Sequence, residues 1–213
     1  MIAALAVVPA CVLVSVTFVI ADPDMFQHLL VGKAIWSLRQ VPTTQVWTWP
    51  TYGAPDLTPS CLFRALLCPV SQAREVWGLF AWRWVTTLGA FALAGLTARR
   101  MGARGFAPLV VIAVWALVYR QRASVGPESL AGILLMLDLW ILEGRRRGGP
   151  DRAWWLVGVA WLWSNIHLSY WMGFALIAAY MLDEWRGARR DAHPTPRVAL
   201  WKVALAAAAV SFL

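Results

Sequence analysis

Charged residues are scarce in this chain. Asp, Glu, Lys and Arg make up 14% of its 213 residues, whereas 60% of the residues are apolar and the mean hydropathy is +0.60. An ordinary soluble domain is about a quarter charged and about half apolar. The composition therefore argues against a soluble domain and indicates a membrane protein.

Cysteine is also rare, with Cys11, Cys61 and Cys68 as the three examples. The chain has no Cys-x-x-Cys pair and no Cys/His spacing of the kind that binds metal. On a helix, Cys61 and Cys68 would lie two turns apart, about 10 Å, which is too far for a disulfide. We interpret all three as small apolar residues.

The basic residues lack the pattern expected for nucleic-acid binding. The net charge is +8, but Lys and Arg cluster at the ends of apolar blocks rather than among aromatic residues. This placement is explained by membrane topology, because Lys and Arg collect on the cytoplasmic side of spans. We therefore expect the lipid bilayer as a partner and no nucleic acid.

Long apolar blocks dominate what is present. A block of about 20 apolar residues crosses roughly 30 Å of hydrocarbon as a helix, which satisfies its own backbone groups. We predict an all-α fold, a polytopic transmembrane helical bundle of about seven spans, with a long first extracytoplasmic loop that carries an amphipathic helix. The predicted segments are 1–21 (span one), 22–74 (outer loop), 75–98, 105–119 and 127–142 (spans two to four), 153–165 with 169–185 (a short helical hairpin) and 198–213 (the last span).

The first and last blocks each leave an alternative. Residues 1–21 could form a secretory signal peptide, but they lack a basic start and their apolar run is longer than usual. We favour a retained first helix. The last block reaches Leu213 without a polar tail, which favours a truncated chain or dependence on another component.

The block 153–185 can be one long tilted helix or two short ones that meet at the polar run 164–167. We place the loop 22–74 outside and let the block cross twice. The cytoplasmic side then holds twelve of the 19 basic residues, in the segments 99–104, 143–152 and 186–202. Because this arrangement meets the positive-inside rule, the hairpin is favoured.

A candidate site follows the first span. Asp22 followed by Pro23 is a favoured helix start, and on that helix Asp24 and His28 share a face. A carboxylate beside an imidazole suits a general base, or a metal or phosphate site. In the alternative, Asp22 only caps the helix and Asp24 only complements its dipole.

Aromatic residues supply a second candidate. The chain has 15 Trp residues, and Trp47 and Trp49 lie in an extended, aromatic segment over residues 41–53. Their rings could stack on sugar, whereas the alternative is a loop that rests at the lipid headgroups, where Trp is enriched.

Two further pairs of polar residues could line a binding cavity. Asn165 and His167 would be costly near span ends unless paired, so they could meet the first loop or simply bond between helices. Arg120 and Arg122, near Glu128 on the predicted outer face, could clamp a phosphate, or could extend to the membrane interface.

Two stretches of the chain resemble bacterial multi-span proteins related to the GT-C glycosyltransferases. The first reads Asp22-Pro-Asp24…His28-Leu29…Gly32…Ile35…Pro42, then Gly53-Ala-Pro55 and Ser60-Cys-Leu62-Phe63. The second reads Trp163-Ser-Asn165-Ile-His167…Gly173, preceded by Pro127-Glu128. In this order they cover most of residues 20–185.

The resemblance implies transfer of a sugar from a polyprenyl-phosphate lipid at the outer face of a bacterial cytoplasmic membrane. In such enzymes an acidic residue of the first outer loop acts as base or binds a metal. By position that role falls to Asp24 or Asp22, with His28 in support and Arg120 or Arg122 at the carrier phosphate. A lipid-linked sugar as donor and a divalent metal at Asp22 and Asp24 are the implied ligands.

Departures from the family pattern leave a second function open. Gln45 stands where relatives often have Asp, Cys61 stands where an aromatic residue is usual, and GT-C proteins are far longer. These differences allow an incomplete or inactive member. The alternative is a non-catalytic membrane subunit that binds lipid or a protein partner through its Trp-rich outer loop.

Overall fold

The fold is all-helical over the residues that the structure describes. The structure is a computed structural model, and it describes residues 2–20, 22–55, 58, 60–120, 123–188 and 198–211. Within them there is no strand, only one isolated antiparallel bridge between Thr44 and Pro55. The α-helices of this part are α1 (Ile2–Val16), α2 (Met25–Leu38), α3 (Cys61–Arg100), α4 (Ala107–Tyr119), α5 (Glu128–Arg146), α6 (Trp155–Ile166), α7 (Trp171–Ala188) and α8 (Leu200–Ser211).

One described helix, α3, is long and apolar enough to cross a membrane. Shorter apolar helical stretches cover Val7–Val16, Ala107–Tyr119, Trp155–Ile166 and Leu200–Ser211. A helix of 12 or 13 residues is about 18–20 Å long, which is less than the roughly 30 Å of the hydrocarbon core. The predicted helical fold is therefore confirmed, whereas seven full-length spans are not established.

The segment predicted as one outer loop, 22–74, contains two helical parts. The first is α2, and the second is the start of α3, which begins at Cys61 rather than at Glu75. Glu75 has φ 50° and ψ −130°, so it separates a first limb, 61–74, from a second limb, 76–100. The first limb packs against α2, and this contact explains why a segment with little apolar periodicity is helical.

The block 153–185 forms two helices rather than one. Helix α6 ends at Ile166, because His167 is extended, with φ −155° and ψ 143°. A short 3-10 turn over Leu168–Tyr170 then leads into α7. The backbone therefore reverses at the polar run, which brings the end of α7 back beside the end of α5.

The main core lies between α3, α5, α6 and α8. Phe63 and Leu67 on the first limb of α3, Leu142 on α5 and Trp163 on α6 are at most 1% exposed. The indole N–H of Trp163 donates to the hydroxyl of Ser169 at 3.1 Å, which satisfies its one polar group.

A buried ionic network joins the ends of α5, α7 and α8. Arg145 is 3% exposed and donates to Asp151 at 2.8 Å, to Glu184 at 2.6 Å and to the carbonyl of Val198 at 2.8 Å. Burial alone would raise the pKa of Asp151, but backbone N–H groups of Val198 and Ala153, together with Arg145, hold it below its usual value. The network fixes which helix ends share one side of the bundle.

Candidate functional site

The acidic segment forms a turn that leads into α2. The assigned helix begins at Met25, and Asp22 Oδ1 accepts the backbone N–H of Asp24 at 3.0 Å. Asp24 rather than Asp22 holds the N-cap position, so the predicted start, with Asp22 as cap and Pro23 as first helical residue, is wrong by two residues. Asp24 is exposed and makes no side-chain capping bond. Its carboxylate is therefore available to a ligand.

His28 lies one turn into α2 and faces the first limb of α3. It is 9% exposed, its Nδ1 accepts Nε–H of Arg64 at 3.2 Å, and the edge of its ring meets Phe63 at 5.2 Å between centroids. Close approach of the two helices is possible at Gly32, because a Cβ there would overlap the carbonyl oxygen of Arg64. Gly32 therefore allows the close contact between α2 and α3 in which His28 lies.

The surroundings of His28 disfavour its protonated form. Burial lowers its pKa, and the Arg64 guanidinium lowers it further. The carboxylates of Asp22, Asp24 and Glu128 act in the opposite direction but do not reverse the shift. Three carboxylates thus act on one imidazole, and the third of them comes from α5.

Glu128 is the first residue of α5 and adds a carboxylate from another helix to the site. Its carboxylate accepts the Ser124 hydroxyl, and a neighbouring residue, Ser129, accepts the indole N–H of Trp82 at 3.3 Å. Trp82 in turn lies edge-on to Phe63 at 5.7 Å. Trp82 therefore links the start of α5 to Phe63 on the first limb of α3.

Two arginines meet at Phe18, between α1 and α2. Arg83 is 2% exposed, and its Nη1 donates to the carbonyls of Val16 and Phe18 at 3.2 and 3.0 Å. Its guanidinium lies 4.7 Å from the Phe18 ring centroid, and that of Arg120 lies 5.8 Å away. Arg83 Nε has no hydrogen-bond partner within the described residues. Two guanidinium groups therefore lie beside Phe18, four residues before Asp22. The predicted role of Arg120 at a phosphate stays a prediction, and Arg122 lies outside the described residues.

The aromatic loop is held by backbone contacts. The N–H of Gln45 donates to the Ala54 carbonyl at 2.8 Å, and the N–H of Gly53 donates back to Gln45 at 2.7 Å. Gly53 has φ +81°, which a residue with a side chain rarely adopts. The loop presents Trp49, which is 86% exposed, while Trp47 is half-buried.

Asn165 and His167 make local bonds at the end of α6. The amide of Asn165 donates to the Trp161 carbonyl at 2.9 Å, and Nδ1 of His167 lies 2.7 Å from the Ser169 hydroxyl. Within the described part of the chain, no hydrogen bond or ion pair links them to the acidic segment. Their role in lining a cavity with the first loop stays a prediction.

Arg64, Arg83 and Glu128 are the site residues that sequence reasoning undervalued. Arg64 lies in the segment predicted as outer loop, 22–74, and Arg83 lies in the block predicted as span two, 75–98. The signal for Arg83 was its position inside an apolar block, because an ionisable residue there is costly and needs a partner. No pattern in the sequence pairs Arg64 with a histidine 36 residues away.

The site combines an exposed carboxylate with arginines from two other parts of the chain. Asp24 is the exposed carboxylate, Arg64 holds His28, and the Arg120 guanidinium lies beside Phe18. The described residues contain no group of three His, Cys, Asp or Glu side chains close enough to hold a metal ion. Comparison with family models, with curated proteins and with solved structures yields no match to this chain.

Proposed function

We propose that the chain is a multi-span membrane protein, with about seven helical segments in or across the bilayer. Helix α4 supports this most directly. It has no charged residue, and of its 13 residues only Ala116 is buried. Val110, Val114 and Leu117 are 55–65% exposed, a cost in water that lipid contact would remove. The short helices would be accommodated by local thinning of the bilayer.

Within that frame we propose transfer of a sugar from a polyprenyl-phosphate lipid at the outer end of the bundle. The observation that carries the proposal is an exposed carboxylate, Asp24, one helical turn before a buried histidine that is held by Arg64. Asp24 would take the proton of the acceptor hydroxyl as general base. Arg120 would attract the carrier phosphate, which is negatively charged.

His28 would act as a positioning residue in this reaction. Its Nδ1 is occupied by Arg64, so it cannot serve as the base through that nitrogen. Its contacts instead fix α2 against α3 and hold Asp24 at the mouth of the site. A divalent metal at Asp22 and Asp24 would need further ligands, since Asp22 already accepts a backbone N–H.

The direct test uses membranes that contain the full chain and a radiolabelled polyprenyl-phosphate hexose as donor. We expect the wild type to consume the donor, and Asp24→Asn to slow consumption by about 100-fold or more, the effect of losing a general base. Asp183→Asn removes an exposed carboxylate at the opposite end and is the matched control. Equal rates for Asp24→Asn and the wild type, at equal membrane insertion, would refute the proposal.

The exposure of Trp49 favours a second candidate, a non-catalytic subunit that docks through its Trp-rich loop. Trp49 and Tyr52 are 86% and 65% exposed, so the loop presents aromatic area without a partner among the described residues. This candidate expects Trp49→Ala to weaken association in membranes while Asp24→Asn is silent. Association that is unchanged in Trp49→Ala would remove it.

A further inference from the structure

Two apolar cavities lie side by side at the opposite end of the bundle from the acidic segment. The larger, about 760 Å³, runs between α1, α3 and α4, with walls that include Pro9, Val12, Leu88 and Leu96. The smaller, about 430 Å³, lies between α3 and α4 and is lined by residues such as Ala94, Val111 and Trp115. Both are shaped by small or apolar side chains.

The two cavities converge at one arginine. Both cavities are lined by Phe91 on α3, by Pro108 and Ile112 on α4, and by Ala103 and Arg104 in the connection between the two helices. Arg99, at the end of α3, lines the larger cavity as well. Both cavities therefore open beside Arg104, and the larger one also opens beside Arg99.

No carboxylate in the described part of the chain pairs with the charge at this mouth. Arg99 and Arg104 are exposed, and their side chains make no hydrogen bond or ion pair with any described residue. Their neighbours differ: Arg100 lies 3.6 Å over the Trp140 ring, and Arg147 is paired with Glu143. The two arginines at the cavity mouth are thus available to an external anion.

The length of the larger cavity matches one leaflet. From Leu88 to Arg99 is eleven residues of helix, about 16 Å, and half of the hydrocarbon core is about 15 Å. An extended lipid chain would span this distance with its headgroup at Arg99 and Arg104. A compact polar ligand would leave most of the apolar wall uncovered.

We propose that the paired cavities bind one two-chain anionic phospholipid from the leaflet on this side. Its phosphate lies between Arg99 and Arg104, and its two chains enter the two cavities. The inference rests on the proposed membrane location but not on sugar transfer. Charge complementarity selects an anionic headgroup, and the division of the apolar space selects a lipid with two chains.

The test measures lipid retention by the purified full chain in nonionic detergent, using native mass spectrometry. Dioleoyl phosphatidylglycerol and dioleoyl phosphatidylcholine are the probes. We expect the anionic lipid to be retained preferentially, and Arg104→Gln and Arg99→Gln each to weaken that preference by about fivefold. Arg186→Gln, an exposed arginine at the same end that lines neither cavity, is the matched control and should stay within about twofold of the wild type.

A second pair of variants tests occupancy of the cavity rather than charge. Ala92 lines the larger cavity, so Ala92→Trp should displace one chain and reduce retention of phosphatidylglycerol. Ala81→Trp places the same ring at an exposed position on α3 that lines neither cavity. Full retention by Ala92→Trp, or equal losses in both Trp variants, would overturn the inference.

The remaining outcomes separate this inference from the proposed membrane location. Equal retention of the two lipids, or an equal loss in Arg186→Gln and Arg104→Gln, overturns a specific anionic site. Release of the wild-type chain from membranes by alkaline carbonate overturns the membrane location itself. A chain that resists carbonate but shows no preference for phosphatidylglycerol fails only the lipid inference.

Discussion

Nε of Arg64 donates a hydrogen bond to Nδ1 of His28 at 3.2 Å, across the contact between α2 and the first limb of α3. An Nδ1 that accepts a hydrogen bond carries no proton, so the neutral ring carries its proton on Nε2. Protonation of Nδ1 would break the bond and place two cations side by side. The contact between the two helices therefore depends on a neutral His28.

Stability should fall as the pH is lowered through the histidine range. The pKa of His28 lies below 6.5 in the folded chain, because of burial and Arg64, so the unfolded chain binds this proton more tightly. The stabilising contribution is present above pH 6.5 and is lost as pH falls through the lowered pKa. We expect the thermal midpoint in detergent to decrease between pH 7.5 and pH 5.

The control for this pH effect is His28→Gln, which keeps a hydrogen-bond acceptor but does not titrate. Its thermal midpoint should vary less over the same range, although the other two histidines remain. A pH profile identical to that of the wild type would show that His28 is not the titrating group.

Replacing Gly32 should destabilise the α2–α3 contact. A Cβ at Gly32 would overlap the Arg64 carbonyl oxygen and lie 2.9 Å from Cβ of Cys68. Overpacking of this kind costs about 1–3 kcal/mol. We expect Gly32→Ala to lower the thermal midpoint, whereas Gly158→Ala, with no atom within 4 Å of its Cβ, should be neutral or stabilising. Equal effects of the two substitutions would contradict the close approach.

Removing Arg145 should lower the free energy of unfolding by more than removing the neighbouring Arg146. Arg145 is buried and joins Asp151, Glu184 and Val198, so Arg145→Gln leaves two carboxylates without their cation. Because these carboxylates are partly exposed, we expect a loss of about 3 kcal/mol, at the lower end for buried pairs. Arg146→Gln removes a half-exposed pair with Asp183 and a 3.6 Å contact with buried Glu143. Because Glu143 keeps its bonds with Arg147 and Tyr180, this variant should cost less than about 1 kcal/mol. Comparable midpoints for the two variants would refute the network's role.

Cysteine labelling tests the proposed sidedness. In a chain whose native cysteines are replaced by Ala, Thr48→Cys places a thiol in the exposed aromatic loop, and Arg186→Cys places one at the end of α7. We expect a membrane-impermeant maleimide to label the first in intact cells and the second only after lysis. Labelling of both positions in intact cells would place both ends on one side and exclude the proposed topology.

Most of the helices could be predicted from the sequence, because the signals that define them act within a few residues. The scarcity of charge and the apolar blocks indicate helices in an apolar surrounding, and Asp22 with Pro23 marks the turn before α2. The polar run at 164–167 marks the reversal between α6 and α7. Each of these signals acts over a few residues, through hydrogen bonds and hydration of the same segment.

The start of α3 at Cys61 could not be predicted from local sequence signals. Residues 61–74 carry little apolar periodicity, yet they are helical because Phe63 and Leu67 are buried in the core. The positive φ of Glu75, which no residue preference predicts, then reorients the chain toward the second limb.

What the sequence by itself determined is the all-helical character of the chain, the candidate carboxylates and the uneven distribution of arginine. Only the tertiary structure decided which arginine meets which partner: Arg64 holds His28, Arg83 caps the end of α1, and Arg145 joins three helix ends. The physical reason is that a guanidinium can bond any acceptor within reach, so its partner follows from helix packing over tens of residues. The same packing leaves the side chains of Arg99 and Arg104 without an ion pair or hydrogen bond to any described residue, at the mouth of two apolar cavities.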